Sequence, residues 1–204
     1  MDPSTKENEN MKSRGFMLSV GVLLLSTVVL AQSSAPKSEV PKTEAQKSFD
    51  ALKTLAGDWE GPVTTDLPEA MKTAMGVNSN PLHVSLRVTS RGNAIVEESQ
   101  EARTPLDYTK YDHPLTMLYV DGGQLTLVHY CDAGNRPRMV GKVSPDGKTV
   151  AFEFVDVAGS TQHGYMHHAV FTIIDASHHT EDWTYMMPGD TPPLRAHFAL
   201  QRTK

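Results

Sequence analysis

From Leu82 onward the chain alternates: Leu82, Val84, Leu86 and Val88 are apolar, and His83, Ser85, Arg87 and Thr89 between them are polar. Side chains of an extended strand point to two faces in turn, so this period of two predicts a strand with one face buried and one in water. The same pattern, cut by turn residues, continues to the C-terminus. Arg91-Gly92-Asn93 leads into Ala94–Glu101, and Asp121-Gly122-Gly123 joins Leu115–Val120 to Gln124–Cys131 as a hairpin. Pro145-Asp146-Gly147 divides Arg138–Val143 from Thr149–Asp156. Gly164–Ile174, His179–Met187 and Leu194–Arg202 follow, parted by Asp175-Ala176-Ser177 and Pro188-Gly189-Asp190. With Trp59–Thr65 ahead of them, about ten strands predict an all-β antiparallel domain, since even spacing of this kind belongs to barrels and sandwiches.

Helical spacing is confined to the N-terminal side. Phe49, Leu52 and Leu55 follow Ser48 at intervals of three and predict a short amphipathic helix ending near Gly57. Leu67, Met71 and Met75 recur every fourth residue behind Asp66, with Pro68 near the first turn. They predict a second helix between residues 66 and 80.

The first residues read as an address. Met11-Lys12-Ser13-Arg14 is a short basic stretch, the apolar run Phe16–Leu30 follows, and Val29-Leu30-Ala31 suits a cleavage site. A run of 15 residues is short for a spanning helix, so residues 1–31 are expected to be a secretory signal peptide, with an uncleaved anchor as the alternative. Either Met1 or Met11 serves as the start on this reading, and the absence of a following cysteine excludes a lipoprotein. Residues 32–47, rich in Ser, Pro and Lys, are expected to be a flexible linker, and residues 48–204 the folded domain. The expected location is periplasmic or secreted, with no stable membrane insertion after cleavage.

Charge narrows the partners. The chain carries 19 basic and 24 acidic residues, a net charge of −5, without a Lys/Arg cluster. That balance argues against nucleic acid or an anionic membrane surface as partner. Cys131 is the single cysteine, so no intramolecular disulfide forms and the core must supply the stability.

Leu55-Ala56-Gly57-Asp58-Trp59-Glu60-Gly61 resembles the opening of lipocalin-like (calycin) barrels, in which a Gly-x-Trp on the first strand marks the closed end. The resemblance implies an up-and-down barrel of about ten strands, with a basic residue of the last strand over the tryptophan. Arg202, in Phe198-Ala199-Leu200-Gln201-Arg202, is placed for that role beside Gly57 and Trp59. Within the superfamily the chain is similar to uncharacterised bacterial exported proteins of the DUF1579-like type. Through Pro193-Leu194-Arg195-Ala196-His197-Phe198 it also resembles nitrobindin-like haem barrels, which makes His197 a haem candidate. His197 falls on the face opposite Phe198 and Leu200, expected to be the outside.

Chemistry is carried by histidine. There is no Gly-x-Ser-x-Gly, phosphate-binding glycine loop, Cys-x-x-Cys or His-Glu-x-x-His. Six of the nine histidines sit in late strands or their edges. By parity, His129 shares a face with Leu125 and Leu127, His167 with Ala169 and Phe171, and His179 and Glu181 with Trp183 and Tyr185. His129, His167 and Glu181 are therefore expected to face the interior, with Phe171, Trp183 and Tyr185 as an apolar wall. Hydrogen-bonded histidines near a barrel rim are the plainer alternative. If a metal such as zinc binds, His129, His167 and His179 are the candidates. Glu97, Glu98 and Glu101 are expected on a solvated edge, and the thiol of Cys131 to act as a small hydrophobe. No complete set of acid/base groups is present. The favoured function is binding of a small, partly apolar ligand in the barrel; a haem or metal protein or an enzyme is the alternative.

Overall fold

The computed structural model describes residues 41–74 and 80–203. The expected signal peptide, the linker as far as residue 40, and Met75 of the second helix lie outside the described residues.

Helix α1 spans Glu44–Lys53, starting inside the stretch expected to be linker. The cause is local: Thr43 is the N-cap, and its hydroxyl accepts the backbone N–H of Gln46 at 3.2 Å. Thr43-x-x-Gln46 has the spacing of a capping box, which outweighed the Ser/Pro/Lys character of the preceding residues. Strand β1 (Gly57–Gly61) and strand β2 (Val63–Thr65) follow, then α2 (Glu69–Ala74). The remaining strands are β3 (Leu82–Thr89), β4 (Ala94–Glu101), β5 (Leu115–Asp121), β6 (Gln124–Tyr130) and β7 (Arg136–Val143). They continue as β8 (Thr149–Ala158), β9 (Tyr165–Ile173), β10 (His178–Met186) and β11 (Leu194–Arg202).

Each strand from β3 onward pairs antiparallel with the next, and β11 returns to β1, so the sheet closes. Trp59 marks the seam, opposite Val84 on β3 and Arg202 on β11. β2 also pairs with β11, Val63 opposite Phe198. β1 and β2 thus act as one strand interrupted at Pro62, which has no N–H to give the ladder. The result is a closed, ten-stranded antiparallel barrel. Among the described residues closure leaves no long unpaired edge, the usual liability of an all-β protein.

Inward residues at alternate positions make one core. Leu118, Leu127, Met139, Phe152 and Phe171 are fully buried in it. α1 closes one end, packing against β5, β6 and β7 and adding Phe49 and Leu52 to the core. Trp59 lies beneath, its indole N–H donating to Leu55 O at 2.8 Å. The Arg202 guanidinium stacks 4.0 Å above the indole centroid and donates to the carbonyls of Thr54, Ala56 and Ala176.

Two glycines make this end possible. Gly57 has φ +140°, and a Cβ there would stand 2.2 Å from Arg202 Nη1. A Cβ on Gly61 would stand 1.9 Å from Ala199 O, where the first strand crosses the last. Among the described residues no helix is long and apolar enough to cross a membrane.

Candidate functional site

The other end of the barrel is open. β10 aims His179, Glu181, Trp183 and Tyr185 inward at alternate positions, from the sealed end toward the mouth. His179 touches the Trp59 indole edge-on, with centroids 4.2 Å apart. Glu181 comes next, opposite Phe171 on β9 and Phe198 on β11. Trp183 follows at a junction, 5.4 Å from the His129 ring and 5.7 Å from the Phe171 ring.

A cavity of about 520 Å³ opens beside Trp183 and Tyr185, walled by Met166, Leu194, Ala196 and Phe198. A smaller one, about 190 Å³, shares Trp183, Tyr185, Met166 and Phe198 and adds Glu97, Ser99 and His129. Asp112, Cys131 and Asp132 also border the smaller cavity, and Asp132 borders both. Apolar walls with a few converging polar groups are the usual composition of a small-molecule site.

Below the cavities lies a buried polar network. Glu181 and His179 are both fully buried, with His179 Nε2 3.0 Å from Glu181 Oε1. Trp183 Nε1 donates to Glu181 Oε2 at 3.0 Å. Glu97, on β4, is 3% exposed and hydrogen-bonds Glu181 across the barrel. Burial and the neighbouring Glu181 carboxyl push the Glu97 carboxyl well above its ordinary pKa. One proton assignment satisfies these contacts: Glu97 carries the proton of the pair and gives it to Glu181, which also accepts from Trp183 and His179. His179 Nδ1 then needs no proton, which suits its lack of a partner. Glu97 Oε2 is left buried without a hydrogen bond.

His129 lies on the other wall, 3.0 Å from Thr116 Oγ1 of its cross-strand neighbour. Burial lowers its pKa to about 4, so the ring is neutral at physiological pH. Tyr185 donates to His163 O at 2.6 Å, and burial raises its phenol to about 12. At the rim, Asp132 N donates to Asp112 Oδ1 at 3.1 Å. Burial and the nearby Asp132 charge raise Asp112 to about 6.

Of the residues singled out from the sequence, His129, Trp183 and Tyr185 border the cavities, and Glu181 and Phe171 lie buried beside Trp183. His167 does not join them. Trp183 faces Ala169 and Thr184 faces His168, but Tyr185 faces Met166, so His167 is an extra residue in a bulge. Met166 takes the cavity wall, and His167 stacks on Phe154 with centroids 5.0 Å apart.

The histidines named for a metal therefore have separate surroundings: Thr116 for His129, Phe154 for His167, Glu181 for His179. Among the described residues, the group with donor atoms close enough to hold a metal is Asp112, Cys131 and Asp132, within 4.8 Å of one another at the rim. His197 is on the outer face, its Nδ1 2.7 Å from Asp182 Oδ1. The solvated-edge reading of Glu97 is corrected. Ile95 and Glu97 point inward, and Glu98 points outward to pair with Arg87. The missed signal was cross-strand: Glu97 stands opposite Leu86 and Thr116, both buried.

No family model and no curated protein sequence matches this chain. Among solved structures, it is similar to the crystal structure of Rv2717c from M. tuberculosis, with a TM-score of 0.54 and 14% sequence identity. The likeness covers 77% of this chain and 98% of that one. At this identity it supports the barrel fold alone.

Proposed function

We propose that this chain is an exported, lipocalin-like barrel that holds a small, partly apolar molecule in its open end. The observation that carries the reading is the cavity of about 520 Å³ beside Trp183, with apolar walls leading to the polar floor at Glu97 and His129. One end of the barrel is sealed by α1, Trp59 and Arg202, and the other admits a ligand. Placement in the calycin superfamily rests on Gly57-x-Trp59 with Arg202 stacked on the indole. Export rests on the basic and apolar stretches before Ala31.

Native mass spectrometry of protein purified from the periplasm or medium tests the binding reading. An organic adduct, lost from a Met166→Trp variant that fills the cavity, is the expected result. Stoichiometric metal or haem without an organic adduct would overturn it. Sequencing the mature N-terminus tests export: a soluble product beginning at Gln32 is expected, and an intact membrane-bound N-terminus would overturn that part.

A further inference from the structure

We propose that the site is built for a cationic amine: an ammonium group seated against Glu97, with its apolar body along Trp183, Met166 and Phe198. This rests on the ligand-binding reading and narrows it to a chemical class. The first ground is geometry. Glu97 borders the smaller cavity, is 3% exposed, and its Oε2 has no hydrogen-bond partner. An unpaired buried carboxyl oxygen is costly, and a ligand N–H is the group that would satisfy it. The second ground is charge. Among the described residues, those bordering the two cavities include Glu97, Asp112 and Asp132 and no lysine or arginine. Field lines from the Asp112 and Asp132 carboxylates at a partly dry opening draw in a cation and repel an anion. A fatty acid or phosphate ester would meet no positive partner there.

The proton inventory balances. In the free protein Glu97 is held protonated by burial and by Glu181 beside it. An arriving ammonium stabilises the Glu97 carboxylate, and the displaced proton leaves to water, so binding releases up to one proton per ligand. The titratable groups facing Glu97 are Glu181 on β10 and His129 on β6, with Asp112, Cys131, Asp132 and Tyr185 at the rim. His129, neutral through burial, adds no competing charge near pH 7. Amine affinity should therefore rise with pH across the range in which Glu97 gives up its proton.

Calorimetric titration of the mature chain with octylamine, octanol and octanoate separates charge from chain length. Octylamine is expected to bind at least tenfold more tightly than octanol, with octanoate weakest. Repeating the octylamine titration in phosphate and in Tris, whose ionisation heats differ, should show proton release. In Glu97→Gln, checked for folding by circular dichroism, octylamine should fall to the affinity that octanol shows on the same variant. Octanol binding as tightly as octylamine, or a preference intact in Glu97→Gln, would overturn the amine assignment and leave the ligand-binding reading standing. If none of the three binds, that broader reading falls with it. The buffer comparison on the unmutated chain decides the matter even if Glu97→Gln does not fold.

Discussion

Removing the Arg202 guanidinium should cost more than a lone cation–π contact would. Stacked 4.0 Å over the Trp59 ring, it contributes about 0.5–2 kcal/mol through the ring quadrupole. It also donates 2.9, 2.7 and 3.0 Å bonds to the carbonyls of Ala176, Ala56 and Thr54, joining the loop before β10 to the end of α1. A hydrogen bond from a charged donor adds about 1.5–3 kcal/mol when desolvated. Two of these three are exposed, and water replaces them at little cost. The partly buried bond to Ala56 O counts in full, so Arg202→Ala is expected to lose about 2–5 kcal/mol. Trp59→Ala empties a fully buried indole site and should lose about 3–5 kcal/mol. Urea unfolding followed by far-ultraviolet circular dichroism measures all four members of the double-mutant cycle without relying on tryptophan emission. The coupling should be about 1 kcal/mol, the share of the stacking alone. Coupling below about 0.3 kcal/mol, within ordinary additivity error, would refute the pairing. Arg202→Lys separates the parts: it keeps the charge but replaces the fork by a single point donor, and should recover less than half of the loss.

Four further outcomes follow from the same geometry. Gly57→Ala forces a Cβ against Arg202 Nη1 at φ +140°, and should destabilise by about 1–3 kcal/mol even in the Arg202→Ala background, where the clash is gone and the backbone strain remains. Trp183→Phe removes the donor to Glu181 Oε2 and should cost about 1–3 kcal/mol beyond the packing change, measured by urea unfolding; no such excess would show that the bond is made equally well by water. For pH, His129 has a folded pKa of about 4, below its unfolded value near 6.5, so its contribution is intact above pH 6.5 and declines as pH falls toward 4, by about 2 kcal/mol at pH 5. Glu97 runs the other way: its raised folded pKa leaves stability intact below about pH 4.5 and erodes it as pH rises. Melting curves should therefore show His129→Gln losing the acid limb and Glu97→Gln gaining stability at pH 7; parallel curves for variant and parent would refute each assignment.

Strand positions were legible because both signals that mark them are local. Alternation survives in any strand that buries one face, and Asp121-Gly122-Gly123 or Pro145-Asp146-Gly147 ends a strand wherever it occurs. Closure was legible in a single place, where Gly57-x-Trp59 and Arg202 sit at opposite ends of the chain and meet across the seam. What alternation cannot carry is a bulge. One extra residue at His167 leaves the sequence period unchanged on either side and reverses which residue meets Tyr185. Met166 consequently replaced His167 on the cavity wall. Likewise α1 began at Glu44 because a side-chain cap set its first turn, while composition pointed to a linker.

The carboxyl pair was illegible for a different reason. In Ala94-Ile95-Val96-Glu97-Glu98, apolar residues occupy both parities, so the strand by itself does not say which glutamate turns inward. Leu86 and Thr116, the cross-strand partners, decide it, and partner identity depends on register set many residues away. Nor does folding require the answer that was found. Two apolar side chains of similar volume at Glu97 and Glu181 would spare the barrel a buried charge, and such replacements are often neutral or stabilising. Glu181 is well satisfied, by Trp183, His179 and Glu97, yet Glu97, which borders the smaller cavity, keeps one buried oxygen unpaired. A group that costs stability, and is left incomplete beside a cavity, makes energetic sense in the bound state rather than the free one. Glu97→Gln accordingly separates two quantities that a purely structural residue would move together: it should raise the melting temperature at pH 7 and abolish the preference for an amine.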